Sequence, residues 1–301
     1  MVEAQSSITS KGTVLIDLHL HSTASDGTWT PSEVVQRAQQ AGVQVMALTD
    51  HDTLAGAHEA APEAERRGIH FLLGVELNTD AGGAEIDILG YFLQEPPVWF
   101  QEFIASRQAA RVDRARAIVV RLNALGLPVR YERVRELAQG IVARPHVAQA
   151  MIEQGHATSQ RDAYKRYIGF GAPAYVERDS LHPVTAMQYV KRAGGLAIVA
   201  HPGLVDDEEA VRSLVASGAS GLEVYYAFHT PDQTAAWLKL ARERGLLITA
   251  GSDAHGPGRA KSKDIGVAVS GDLWPALQRG LQQAWERRAP QPPVAGQEAP
   301  R

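Results

Sequence analysis

The strongest constraint on the fold is a series of seven short apolar runs, each ending in or carrying histidine or a carboxylate. The first is Val14-Leu15-Ile16-Asp17-Leu18-His19-Leu20-His21. Strand side chains alternate between faces, which predicts Ile16, Leu18 and Leu20 on one side and Asp17, His19 and His21 on the other. Val45 to Leu48 leads into Thr49-Asp50-His51-Asp52, and Phe71 to Val75 leads into Glu76. Ile86-Asp87-Ile88-Leu89 carries Asp87, and Leu196 to Ala200 delivers His201. The last two runs bring Glu223 and the segment Gly251-Ser252-Asp253-Ala254-His255. A parallel barrel gathers the C-terminal ends of its strands at one rim, where its active site is built. Imidazoles and carboxylates converging there make a metal site.

The 301 residues suit one large α/β barrel, or a barrel with an inserted module. With 45% hydrophobic residues the chain can fill a sizeable core, and no apolar run approaches the ~18 residues of a membrane span. The first dozen residues are polar and lack a secretory stretch, so the cytoplasm is the expected compartment. There is no cysteine, hence no thiolate ligand or nucleophile, and any metal must sit on nitrogen and oxygen. The formal charge of -4 argues against a broad DNA-binding surface. It leaves room for a nucleotide or a short RNA 5′ end held by metals and a few arginines.

Along the chain, residues 1–12 read as a flexible N-terminus and 13–94 as the first part of the barrel. Thr30-Pro31 should open the first helix and Ala41-Gly42 close it. Residues 95–180 read as a helical insertion forming a lid or substrate wall, because 98–165 is helical in pattern and free of strand signals. Its arginines, Arg107, Arg111, Arg114, Arg116 and Arg121, are expected on a solvated helix face, with guidance of an anionic substrate as the lesser alternative. Residues 181–288 resume the strand–helix rhythm, and the proline-rich 289–301 should be disordered.

His19 and His21 flank one residue and can reach a single ion. Asp26, in Ser25-Asp26-Gly27, has the alternative role of a turn former. Capping of the helix after Thr53 would account for one aspartate of Asp50-His51-Asp52 but not for the histidine. Glu76 could bridge two cations, and Asp253 with His255 repeats the spacing of the first pair.

Taken in order, Asp17-Leu18-His19-Leu20-His21-Ser22, Thr49-Asp50-His51-Asp52, Gly74-Val75-Glu76, Ala200-His201-Pro202 and Gly251-Ser252-Asp253-Ala254-His255-Gly256 resemble the motifs of the PHP (polymerase and histidinol phosphatase) family. The resemblance covers about residues 13–270 and implies a distorted (βα)7 TIM-like barrel that hydrolyses phosphoesters with divalent metals. Ala143-Arg144-Pro145-His146-Val147-Ala148 and Gly169-Phe170-Gly171 are similar to the branch holding the 3′,5′-nucleotide bisphosphate phosphatases and a 5′→3′ exoribonuclease. It implies two to three cations, Mn foremost, with Mg, Zn or Fe as options. His19, His21, Glu76 and Asp253 would hold the first. Glu76 would bridge to a second with His201, and Asp26, His51 and His255 would hold the third. The family pattern has histidine where this chain has Asp87, a harder and negatively charged ligand that tilts the second site toward Mn or Mg. The resemblance also makes Arg144 a phosphate clamp with His146 beside it. His229 is read either as a phosphate contact and acid for the leaving oxygen or as a helix-start packing residue.

The expected activity is therefore phosphomonoester hydrolysis of a small phosphorylated metabolite, best a nucleoside 3′,5′-bisphosphate, by direct phosphoryl transfer to hydroxide. The same site could act as a 5′→3′ exoribonuclease on short RNA. From other classes, a metal-stabilised docking module and a C–N amidohydrolase are the competing readings.

Overall fold

The computed structural model describes residues 12–82, 84–138, 140–177, 179–258 and 264–288. The flexible N-terminus expected over 1–12, Gly12 apart, and the disordered tail expected over 289–301 lie outside the described residues.

The strands are β1 (Thr13–Asp17), β2 (Val45–Leu48), β3 (His70–Leu77), a short hairpin of β4 (Asp80–Ala81) and β5 (Ala84–Glu85), β6 (Ile88–Phe92), β7 (Leu196–Val199), β8 (Gly221–Tyr226), β9 (Leu247–Gly251) and β10 (Val267–Ser270). Eight of them form one sheet in the order β10-β1-β2-β3-β6-β7-β8-β9. Beyond the regular ladders the chain after β1 meets the chain after β9. Leu18 N–H donates to Ala250 O (2.9 Å), Asp253 N–H to His19 O (2.8 Å) and His21 N–H to Ala254 O (3.1 Å). The sheet is thereby drawn into a nearly closed, distorted TIM-like barrel.

The rim is not wholly parallel, as the sequence reading supposed. β6 runs antiparallel to both β3 and β7, and β10 antiparallel to β1. Only the short β4–β5 hairpin lies between β3 and β6, and without a crossover helix the next strand can only return in the opposite direction. Asp87 consequently precedes its strand, yet the reversal delivers it to the rim where the other strands end.

The strict alternation expected through Leu20 also fails. Ile16 and Leu18 pack with Leu89, Ile198 and Ala250 inside the barrel, whereas Leu20 packs with Val34, Ala57 and Ala60 of the helices outside. Regular pairing of β1 stops at Asp17, whose carboxylate accepts the backbone N–H of both His19 (3.3 Å) and Ser252 (3.0 Å). The slip turns His19 and His21 inward above an apolar floor.

The helices are α1 (Pro31–Ala41), α2 (Ala55–Arg66), α3 (Val98–Ala124), α4 (Tyr131–Leu137), α5 (Arg144–Glu153), α6 (Gln160–Ala163), α7 (Pro183–Arg192), α8 (Glu208–Ala216), α9 (Pro231–Glu243) and α10 (Leu273–Glu286). Thr30 and Glu33 form a reciprocal capping box ahead of Pro31, and Gly42 ends α1 at φ 82°, where a Cβ would be strained. α2 corrects the expected aspartate cap. Leu54 occupies the cap position with no side-chain bond, because Asp50 and Asp52 are committed to the rim. α10 sets Trp274, Leu277 and Leu281 against the interior cluster, with Trp274 beside His70 at the start of β3, so it closes the end opposite the rim.

α3 belongs to two cores. Phe100 and Ile104 pack on the barrel, while Ile118, Val119 and Leu122 share a separate cluster with Val134, Val147, Met151, Ile168 and Ala174. The insertion thus has its own apolar core, roped to the barrel by one continuous helix.

Candidate metal centre

His19, His21, His51, Glu76, Asp87, His201, Asp253, His255 and Asp26 converge on the rim. Glu76 lies at their middle. Its Oε2 is 3.3 Å from His19 Nε2, 3.0 Å from His21 Nε2 and 3.1 Å from His51 Nδ1, and its Oε1 is 3.4 Å from His201 Nε2. Asp253 Oδ1 stands 3.5 Å from His19 Nε2 and 3.3 Å from His21 Nε2. Asp26 Oδ1 faces His255 Nε2 at 3.4 Å and His51 Nε2 at 3.9 Å, and Asp87 Oδ2 faces His201 Nε2 at 3.8 Å. Their donor atoms group as His21–Asp26–His51–His255, His19–His21–Glu76, His19–His201–Asp253 and Glu76–Asp87–His201.

The atoms at the centre are buried and lack hydrogen-bond partners: His19 Nε2, both nitrogens of His21, His51 Nδ1, both oxygens of Glu76 and His201 Nε2. Each buried polar atom left so costs on the order of 1–3 kcal/mol, and a concentration of them in one place asks for a ligand. A donor set of imidazole and carboxylate without thiolate fits Mn, Zn, Fe or Mg. The electrostatics agree. Burial pushes the His21 imidazole down, but Asp253 and Glu76 overcome it and raise the group to about 10. Burial likewise opposes the charge on Glu76, yet His19 and His51 hold its carboxyl well below the usual range. At His51 burial prevails and pushes the imidazole down to about 3, so the positive charge that the carboxylates favour is concentrated on His19 and His21.

Outer contacts aim these side chains. Glu223 takes His19 Nδ1 (3.0 and 3.2 Å) and the His201 backbone N–H (2.7 Å), which fixes His19 with Nε2 toward the centre. Tyr226 Oη donates to Asp253 Oδ2 (2.8 Å), leaving Oδ1 for the imidazoles, and His255 Nδ1 is held by Asp253 O (2.8 Å). Asp50 accepts from Ser22 N–H (2.8 Å), Ser22 Oγ (2.7 Å) and Ser25 Oγ (2.6 Å), and so shapes the loop carrying Asp26. Gly251 is required by crowding, since a Cβ there would lie 2.3 Å from His19 Cβ and 2.5 Å from Glu223 Oε1. Among the described residues, only Asp52 (φ 50°), His201 (φ 28°) and Asp253 (φ 55°) are non-glycines in the left-handed region. All three sit at this rim, and strain of roughly 1–3 kcal/mol each is held in place by the surrounding barrel.

A cleft of about 390 Å³ opens between the cage and the insertion, lined by Asp26, His51 and His255 on one side and Arg111, Arg114, Arg144 and Tyr164 on the other. This corrects the expectation of a solvated face for Arg107, Arg111 and Arg114 of α3. Arg107 is buried against Asp179 (2.8 Å), Arg111 Nε donates to Asp52 Oδ2 (2.6 Å), and Arg114 Nε donates to Val176 O (2.9 Å). Arg116 keeps the expected exposure, its side chain 60% accessible. The cationic face is covered only where the insertion folds back over the rim, and Arg121, like Arg116, stays exposed.

Of the other residues singled out in the sequence, Arg144 lines the cleft, its guanidinium 5.4 Å from the Tyr164 ring centre. His146 is instead buried within the first turn of α5, where its Nδ1 accepts from Ala143 N–H (3.0 Å). His229 has Nδ1 on Val224 O (3.1 Å) and Nε2 accepting from Gly203 N–H (3.0 Å), so the main chain occupies both nitrogens. Sequence reasoning gave no role to Tyr226 or Asn78, placed Arg111 only on the arginine face of the insertion, and named Glu223 only as a carboxylate brought by an apolar run. Glu223 had a signal in interrupting an apolar run and Arg111 in the arginine stripe, whereas Tyr226 and Asn78 had none.

Barrel, cage and arginine-lined cleft together are the equipment of a metal-dependent phosphoesterase. The PHP domain matches residues 17–177, more than half of the chain, and the protein belongs to that family. It is 38% identical over 246 residues to a 5′-3′ exoribonuclease of Haemophilus influenzae, covering 80% of this chain and 90% of the relative. It is 33% identical over 258 residues to a 3′,5′-nucleoside bisphosphate phosphatase of Chromobacterium violaceum, covering 83% and 90%. A crystal structure of a candidate metal-dependent phosphoesterase from Bifidobacterium adolescentis superposes with a TM-score of 0.77 at 28% identity, over 88% of this chain and 95% of that one.

Proposed function

We propose that this protein removes a phosphate from a small metabolite phosphorylated at two positions, a nucleoside 3′,5′-bisphosphate being the best fit. The observation that carries this reading is one cleft of about 390 Å³ with a metal cage on one wall and Arg111, Arg114 and Arg144 on the other. That volume is within the range of small-ligand sites, and its two walls suit anions at two ends of one molecule. Arg144 clamps the phosphate that does not react, for which the guanidinium's planar fork is suited. The cage takes the phosphate that does. Two to three divalent cations, Mn first among them, fit its four carboxylates. When bound they supply hydroxide at neutral pH and offset charge on the phosphoryl oxygens. The leaving oxygen takes its proton from water, since both nitrogens of His229 are engaged. The insertion limits water access from above.

A second reading, 5′→3′ exonuclease action on RNA, is favoured by the higher identity to the Haemophilus influenzae exoribonuclease. Cleavage of a terminal diester would use the same cage. Product analysis with added Mn separates them: inorganic phosphate from a nucleoside bisphosphate in the first case, mononucleotides from a 5′-phosphorylated oligomer in the second. Absence of both products with wild-type protein, at the level of a His51→Ala control, overturns both readings.

A further inference from the structure

Asp87 stands where the family pattern has histidine, and it brings a geometric problem. An imidazole presents its lone pair on a fixed ring, whereas a carboxylate has two oxygens and a free torsion. The side chain of Asn78, just after β3, addresses this. Its Nδ2 donates to Asp87 Oδ1 (2.8 Å), and its Oδ1 accepts from Arg111 Nη2. A guanidinium can only donate, so Arg111 permits one orientation of the amide, the one that turns its N–H toward the carboxylate. With Oδ1 of Asp87 engaged, Oδ2 is the oxygen left facing His201 Nε2 and the Glu76–Asp87–His201 set. Arg111 is itself fixed through Nε to Asp52 Oδ2 (2.6 Å), a residue on the strained turn after His51.

We propose that Asn78 and Arg111 are positioning residues for the second cation, the chain Asp52–Arg111–Asn78–Asp87 aiming one carboxylate oxygen at it in place of the family's histidine. The insertion helix α3, which carries Arg111, thereby becomes part of the metal site as well as of the cleft wall. This inference rests on the reading of Glu76–Asp87–His201 as a cation site.

The test is Mn binding, by equilibrium dialysis with elemental analysis, for wild type, Asp87→Ala, Asn78→Ala, Arg111→Lys, Asp87→His and Asn78→Ala/Asp87→His. Asp87→Ala should remove one cation from the stoichiometry. Asn78→Ala should weaken that cation about 10- to 100-fold, as loss of a ligand-orienting partner does. Arg111→Lys should lie between, because an ammonium lacks the fork that reaches Asp52 and Asn78 together. In the Asp87→His background a ring needs no amide clamp, and Asn78→Ala should cost less than about 3-fold. Wild-type affinity in Asn78→Ala, or an equal loss in both backgrounds, overturns the positioning role. Unchanged stoichiometry in Asp87→Ala overturns it together with the second site, while leaving the other ligand sets standing.

Discussion

Glu76 faces four imidazoles of the cage, and replacing it with glutamine removes one charge at nearly constant volume. Its two oxygens lie 3.0–3.4 Å from the nitrogens of His19, His21, His51 and His201. At an effective dielectric of about 20, a unit charge pair some 4 Å apart is worth about 4 kcal/mol. At 1.4 kcal/mol per factor of ten, this corresponds to roughly 10³ in the affinity of a cation held there. The doubled charge of a divalent ion raises the gain, and the cost of keeping a carboxylate buried lowers it, so one charge pair is the working figure. The same carboxylate, with Asp253, already outweighs burial in raising His21 to about 10. Glu76→Gln is therefore expected to weaken Mn binding by about three orders of magnitude and to reduce phosphate release at least in proportion. Dialysis followed by elemental analysis reads the first quantity, a phosphate-release assay across a Mn titration the second, and circular dichroism checks that the barrel has folded. A variant that retains the wild-type complement of metal after dialysis and turns over at the wild-type rate would refute the electrostatic reasoning.

Three further outcomes are expected. In chelator-treated protein the raised His19 and His21 groups contribute stability that is complete below their unfolded value near 6.5. That contribution is lost as pH rises through the folded value, about 10 for His21. Melting temperature should fall over this window while the increment produced by Mn grows, since a metal must displace those protons; a pH-independent increment contradicts the assignment. Glu223→Gln should leave the barrel intact but weaken metal binding about 10- to 100-fold by loosening His19, as a dialysis isotherm would reveal. Arg144→Ala should raise KM for a bisphosphorylated substrate at least ~10-fold with a smaller change in kcat, the pattern of a group that binds rather than reacts. An unchanged KM would place the second phosphate elsewhere.

The side chains that gather at the rim were legible because metal chemistry selects few residue types and barrel architecture puts them at strand ends. His19, His21, His51, Glu76, His201, Asp253 and His255 each follow or end an apolar run, and Asp26 was found through the resemblance. What surrounds them was not legible. No periodicity announces that Asn78 turns its amide toward Asp87, that Tyr226 reaches Asp253, or that the backbone slips after Leu18. The arginines of α3 show why. In the sequence they are a charged stripe, and charge on a helix is solvated unless another part of the chain covers it.

The sequence by itself determined the barrel and the donor types available to its rim, since apolar runs and donor types are local properties. Only the tertiary structure decided which strand runs backwards, which aspartates face the imidazoles at the rim and which hold the frame. Asp17 and Asp253 are both fully buried carboxylates. Asp17 is surrounded by the N–H and O–H donors of Ser252 and the N–H of Gly266, whereas Asp253 turns one oxygen toward two imidazoles. That difference depends on donors from distant parts of the chain meeting at one point, and such meetings exist only once the barrel has closed.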